Sequence, residues 1–269
     1  MEILLTIQTI LIIFLLYKLL SREEKEKRVS GILRYGDYGK DAVKITYSWK
    51  LDSARKTQLK GHLPLKFDKK EIEEQRMSNP FAIPNNNGTE SNLRKMYFHM
   101  LSNPWMLLHC AEIVKYINRE CSKNNVGELD KLQFVLDFVQ EPNVKYSYDE
   151  DCPEIQHPKE YIRFPDETLY DRHGDCDCKS FLAVTLFHLM GYNVLYLLSY
   201  KLGHAAICVE YDQRWKAFLQ NKKEVEDVTI EYNGSKYVYC ETTSDHYRIG
   251  GISPDYTVND FETKIEIKG

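Results

Sequence analysis

A mixed α+β protein preceded by one N-terminal apolar span is predicted, and three features of the chain predict it. Residues 181–190 form a strongly apolar run closed by Gly191, the pattern of a buried helix with its usual C-terminal stop. Three runs rich in β-branched and aromatic residues follow, at 193–200, 205–211 and 236–242, and read as strands. Ahead of everything else, Ile3 to Leu20 is apolar at 14 of 18 positions. The chain has 269 residues, 43% hydrophobic and 28% charged, which is enough apolar mass for a real core.

The elements can be taken in order. As a helix, the first span is about 27 Å long, close to the hydrocarbon thickness of a bilayer. Glu2 precedes it and Ser21-Arg-Glu-Glu follows, so it lacks the basic start and small-residue cleavage site of a signal peptide. A retained transmembrane helix is expected, with the lipid bilayer as the partner of residues 3–20. Arg22, Lys25, Lys27 and Arg28 all follow the span, and no Lys or Arg precedes it. The positive-inside rule then places the globular part in the cytoplasm, an extracytoplasmic domain being the alternative.

Beyond the charged stalk, Ala42 to Trp49 alternates loosely and reads as a strand, with Gln58 to Phe67 as its pairing candidate. Asp68 caps a short helix to Arg76. Residues 78–91 hold two prolines and three consecutive asparagines, a loop. A helical stretch from Ser91 to Cys121 is broken at Asn103-Pro104. Leu132, Val135, Leu136 and Val139 recur at three- and four-residue spacing, so Leu129 to Val139 is a helix packed on the core. Polar, Pro-containing residues 143–163 read as a surface crossing.

Composition excludes some partners. Net charge is −4 with dispersed Lys and Arg, so no basic stripe exists to follow a phosphate backbone, and nucleic acid is not a partner. Seven cysteines without regular spacing do not make a disulfide framework. Asn87-Gly-Thr and Asn233-Gly-Ser match the glycosylation pattern, which short sequences often do by chance.

The chemistry is concentrated in three places. Asp171-Arg-His-Gly-Asp-Cys176-Asp-Cys178 puts Cys176 where a turn becomes a helix, an end whose N–H groups and dipole favour a thiolate and can hold an oxyanion. His204 opens the apolar strand Ala205-Ala-Ile-Cys-Val209, placed to act as base and then acid. Glu241 follows Tyr237-Val-Tyr-Cys240 and can orient the imidazole through its other nitrogen. Taken singly, each residue has a plainer reading: a buried thiol, a hydrogen-bonded edge histidine, a solvated strand glutamate. Their ordered combination favours a thiol nucleophile site.

Two rival sites use the same residues. His173, Cys176, Cys178 and His204 could bind zinc, although structural zinc cysteines usually come in separated CxxC pairs and here there is one C-x-C. Cys176 and Cys178 could form a redox pair, but the usual C-x-x-C beside a βαβ pattern is absent. Tyr148-Asp-Glu-Asp151 is acidic without calcium-loop spacing.

The ordered motifs resemble the transglutaminase-like superfamily, in its prokaryotic cysteine-proteinase branch. They are Phe138-Val-Gln140, Val144-Lys-Tyr-Ser-Tyr-Asp149, Glu160-Tyr-Ile-Arg-Phe-Pro165, Glu167-Thr-Leu169, Gly174-Asp-Cys176, Gly191-Tyr-Asn-Val, His204-Ala, Glu241-Thr-Thr243 and Ile249-Gly-Gly-Ile252. Tyr47-Ser-Trp49 to Arg76 looks like the β-rich lead-in of these proteins, so the resemblance covers roughly Lys44 to Pro254. It implies a papain-like α+β core, with the nucleophile helix packed on an antiparallel sheet that carries the histidine and the acid. It implies Cys176 as nucleophile, His204 as general base and acid, Glu241 as the acidic third member, and Gln140 as a contributor to the oxyanion pocket. The chain departs from the pattern at Cys178, where Asp is frequent, and at Glu241, where Asp is usual.

The expectation is a membrane-anchored thiol enzyme that cleaves or transfers an amide acyl group of a protein or peptide substrate, with no cofactor. The alternative is a catalytically inactive, membrane-tethered binding module of the same fold. Residues 1–28 would be anchor and stalk, 29–125 the β-rich lead-in and helical segment, and 126–269 the catalytic core.

Overall fold

A computed structural model of the chain describes residue 29 and residues 42–82, 89–140, 142–151, 161–220 and 225–269. The expected transmembrane helix at 3–20, the stalk at 21–28, Asn87 and Cys152 lie outside the described residues. Among the described residues, no helix is long and apolar enough to cross a membrane. The fold is mixed α+β, built on antiparallel sheets.

The lead-in is an antiparallel hairpin. β1 (Val43–Lys50) pairs with β2 (Lys60–Phe67) in a register that sets Trp49 opposite Gly61. Strand alternation buries Tyr47 and Trp49 and leaves Thr46, Ser48 and Lys50 outside. Helix α1 (Lys69–Ser78) starts as expected, the Asp68 carboxylate accepting from the Lys70 amide at 2.8 Å.

α2 (Thr89–Ser102) begins two residues before the expected end of the loop. The predicted break falls at Pro104, which opens a 3-10 turn to Leu107; Asn103 caps that turn by accepting from the Trp105 amide at 3.3 Å. α3 (Leu108–Lys123) and α4 (Glu128–Val139) follow. Trp49 stacks on Phe134 of α4 at 5.0 Å between centroids, and its indole N–H donates to the Phe134 carbonyl at 3.0 Å. Residues on both sides of position 125 therefore share one hydrophobic core.

The segment after α4 departs from expectation. Its described ends are not a surface crossing: Asn143 and Val144 are buried at one end, Ile162 and Arg163 at the other. Arg163 is 0% exposed, its guanidinium 3.4 Å from both Asp149 Oδ1 and Asp171 Oδ2. A buried charge persists when paired, and sequence polarity alone does not show such pairing. Helix α5 (Pro165–Asp171) is a further element, with Pro165 in its first turn and Glu167 accepting from the Phe164 amide at 3.1 Å. β3 (Lys145–Tyr146) pairs in parallel with β4 (His173–Gly174), and this short ladder leads directly into the next helix.

That helix, α6 (Cys176–Leu189), is central, buried almost throughout and enclosed by α3, α4 and α5 on one side and two strands on the other. Those strands, β5 (Val194–Ser199) and β6 (His204–Glu210), belong to an antiparallel five-stranded sheet. Its order is β7-β8-β6-β5-β9, with β7 (Thr229–Tyr232), β8 (Ser235–Cys240) and β9 (Thr263–Ile267). The three expected strands are β6, β5 and β8, and β7 and β9 extend the sheet at its edges. Asn233 and Gly234, at φ +49° and +80°, make the tight turn between β7 and β8.

Candidate active site

Cys176 is the first residue of α6. The Asp175 carboxylate caps the helix, accepting from the Cys178 amide at 3.3 Å. The approach to this cap is tight: a Cβ added at Gly174 would lie 2.6 Å from the Cys178 Cβ. Glycine is required there by contact. Of the described cysteines, Cys110, Cys121, Cys178, Cys208 and Cys240 are buried and Cys176 alone is partly exposed. Burial pushes all five buried thiols above the ordinary range.

The sheet delivers the other two residues. β6 and β8 are antiparallel neighbours whose register ends with Ile207 opposite Cys240, and Glu241 follows directly, level with Ala206 along the chain. His204 lies two residues from Ala206 and projects from the same face, which makes it a diagonal neighbour of Glu241. Accordingly His204 Nε2 is 3.1 Å from Glu241 Oε2. Cys176 also acts on the ring, favouring its charged form. Two ties hold the helix start against the sheet: Tyr196 donates to the Asp177 carbonyl at 3.2 Å, and the Ser180 and Thr242 hydroxyls meet at 3.0 Å.

Burial alone would discharge His204, but the hydrogen bonds to Cys176 and Glu241, with their negative charge, outweigh it and raise its pKa to about 10. Glu241 is 2% exposed, and burial opposes its charge. Its bond to His204 and those from Thr243 prevail, lowering its pKa to about 2. The result is a charged histidine held between a carboxylate and a sulfur.

The acceptor sites of Glu241 are well supplied. Oε2 also accepts from the Tyr239 hydroxyl at 2.8 Å and the Tyr256 hydroxyl at 3.1 Å, and Oε1 accepts from the Thr243 amide at 3.0 Å and hydroxyl at 2.8 Å. The sequence offers a signal for Tyr239, two residues before Glu241 and so on the same strand face. It offers none for Tyr256, which arrives from a loop 15 residues downstream. Tyr256 and Phe261 also flank the imidazole, at 5.9 and 6.1 Å between ring centroids.

Gln140 has a different position from that expected of an oxyanion donor. It is buried, and its amide nitrogen donates to the Glu241 carbonyl at 2.8 Å and the Tyr247 carbonyl at 2.9 Å. Both N–H groups are thereby occupied, and the side chain braces the chain around Glu241. Cys178 is likewise structural, its sulfur accepting from the Arg163 amide at 3.3 Å and donating to the Tyr161 carbonyl at 3.4 Å. These bonds set it inside the core, apart from the partly exposed Cys176, which disfavours a redox pair.

The zinc set of His173, Cys176, Cys178 and His204 is not drawn together. Among the described residues, the one group of three metal-capable side chains whose ligand atoms lie within 4.8 Å of one another is Asp149, Asp175 and Cys178. The Arg163 guanidinium already stands there, Nη1 being 3.4 Å from Asp149 Oδ1 and 3.6 Å from Cys178 Sγ. A cation would have to displace a buried arginine.

No family model matches the chain, and neither the curated proteins nor the solved structures contain a significant match. The functional reading therefore rests on the site itself.

Proposed function

We propose that the protein is a transglutaminase-like thiol enzyme with a papain-like core, acting on an amide of a protein or peptide and tethered to a membrane by residues 3–20. The observation that carries this reading is His204 held by Glu241 and acted on by Cys176, which among the described cysteines is the one partly exposed and opens a buried helix. A charged imidazole beside the sulfur supplies the proton that the leaving amine needs.

The steps follow from this geometry. The Cys176 thiolate attacks the amide carbonyl carbon, and the oxygen takes up the negative charge. The backbone N–H of Cys176, at the positive end of α6, stabilises that oxyanion. The imidazolium of His204 gives its proton to the amide nitrogen, the C–N bond breaks and the amine leaves, with a thioester remaining on Cys176. His204 then takes a proton from water as the oxygen attacks the thioester, which releases the acid and restores the thiolate and imidazolium. An acceptor amine in place of water would give transfer instead of hydrolysis. Glu241 stays ionised throughout and fixes the ring.

Mass spectrometry of the full-length protein mixed with a peptide p-nitrophenyl ester tests the proposal. An acyl adduct on Cys176 that disappears with time is the expected result. No adduct on Cys176, or adducts spread over several cysteines, would favour the inactive binding module.

A further inference from the structure

Tyr256 differs from the other hydroxyl partners of Glu241. Tyr239 and Thr243 lie two residues from the glutamate in the chain, whereas Tyr256 reaches it from the loop that follows Ile252. That loop is pinned on both sides of the tyrosine. Ahead of it, Ser253 Oγ accepts from the Asp255 amide at 3.3 Å. Behind it, a 3-10 turn over Val258–Asp260 is capped, the Asp260 carboxylate accepting from the Thr257 amide at 2.8 Å. Val258 and Phe261 are fully buried just beyond. Tyr256 is thus placed by its own loop, independently of the strand that leads to Glu241.

Its side chain meets both members of the pair. The hydroxyl donates to Glu241 Oε2 at 3.1 Å, the same oxygen that faces His204 Nε2. The ring lies 5.9 Å from the imidazole, tilted by 56°, and packs edge-on against Phe261 at 5.9 Å and 77°. Tyr239 bonds the same oxygen from within the core, whereas Tyr256 is partly exposed. A partly exposed ring in contact with both groups excludes water from that side of their hydrogen bond, and a drier bond is a stronger one.

We infer that Tyr256 is a positioning residue, its hydroxyl fixing the carboxylate of Glu241 on His204 and its ring keeping water from the bond between them. A histidine that gives a proton to a leaving amine and then takes one from water must keep one orientation through both steps. The part played in the reaction rests on the thiol-enzyme reading, but the hold on the pair does not require a working thiol.

The experiment uses that independence. Full-length protein carrying Cys176→Ala is uniformly labelled with 15N, and exchange of the His204 Nε2 proton with water is measured by NMR at pH 6, with and without Tyr256→Phe. His204 is charged at that pH, and exchange requires its bond to Glu241 to open. Tyr256→Phe keeps the ring and removes only the hydroxyl. It should speed exchange of the ring proton about tenfold, the loss of one hydrogen bond to a charged group, while the amide protons of Ile207 and Val209 on β6 keep their protection. Tyr256→Leu should speed it further. An unaltered rate would overturn the proposal, because the hydroxyl would then hold nothing. So would a ring proton that speeds up in step with those amides, because the tyrosine would then support the strand and not the pair. With Cys176 intact, Tyr256→Phe should also slow the loss of the acyl adduct left by the peptide p-nitrophenyl ester severalfold, since that step uses His204 as base. Loss at the wild-type rate would overturn the part in catalysis. No adduct on the wild type, with the exchange effect present, would refute the enzyme and keep the positioning role.

Discussion

His204 Nε2, on β6, lies 3.1 Å from Oε2 of Glu241, the residue that follows the neighbouring strand β8, and the glutamate receives four further hydrogen bonds from Tyr239, Tyr256 and Thr243. Such a carboxylate is fixed in both position and charge. It behaves as a permanent counter-ion to the imidazole, and the state of His204 should depend on it more than on any other single group of the sheet.

Replacing Glu241 by Gln should return the His204 pKa from about 10 toward its ordinary 6.5. Tyr239 and Tyr256 would keep an acceptor in the amide oxygen, so the fold should survive. NMR titration of the His204 ring in the two proteins measures this directly, and an unchanged titration would show that Cys176 alone holds the charge.

The same pair predicts a pH window for stability. His204, raised to about 10, adds stability that is complete below 6.5 and is lost as pH rises through about 10. Glu241, lowered to about 2, adds stability that is complete above 4.5 and is lost as pH falls through about 2. The difference in unfolding free energy between wild type and Glu241→Gln should therefore be largest between pH 4.5 and 6.5 and shrink on either side. Urea denaturation across pH checks it.

Gly174→Ala should disturb the site from behind. Its Cβ would lie 2.6 Å from the Cys178 Cβ, in a region where both backbones are fixed by pairing and helix. A loss of about 1–3 kcal/mol is expected, measured by denaturant unfolding, with slower labelling of Cys176 as the start of α6 shifts.

The two neighbouring cysteines should separate cleanly. Cys178→Ala removes the acceptor of the Arg163 amide and the donor to the Tyr161 carbonyl, and should cost about 1–3 kcal/mol of stability. Cys176→Ala should cost little stability and abolish acyl-adduct formation. The opposite assignment in mass spectrometry would place the reactive thiol at Cys178 and refute the mechanism.

The sequence carried the site further than it carried its support. Cys176, His204 and Glu241 each stand where a helix or strand begins or ends, and periodicity finds such places. The helix break at Pro104 and the cap at Asp68 were legible for the same reason, since they depend on neighbours in the chain. The buried pairing of Arg163 with Asp149 and Asp171 was not, because its partners lie 14 and 8 residues away and its polarity reads as surface. The N–H groups of Gln140 go to carbonyls about 100 residues distant, so only the fold shows that they are taken. β7 has a local signal in Asn233-Gly234, a tight-turn dipeptide. β9 depends on the β5 edge it covers.

The most direct measurement is competitive iodoacetamide labelling of the full-length protein, with mass spectrometry ranking the cysteines by rate. The account predicts that Cys176 is labelled first and well ahead of Cys110, Cys121, Cys178, Cys208 and Cys240, and that His204→Ala slows it at least tenfold (roughly the effect of removing a partner charge from a thiolate). Slow labelling spread over several cysteines, or a Cys176 rate indifferent to His204, would contradict it.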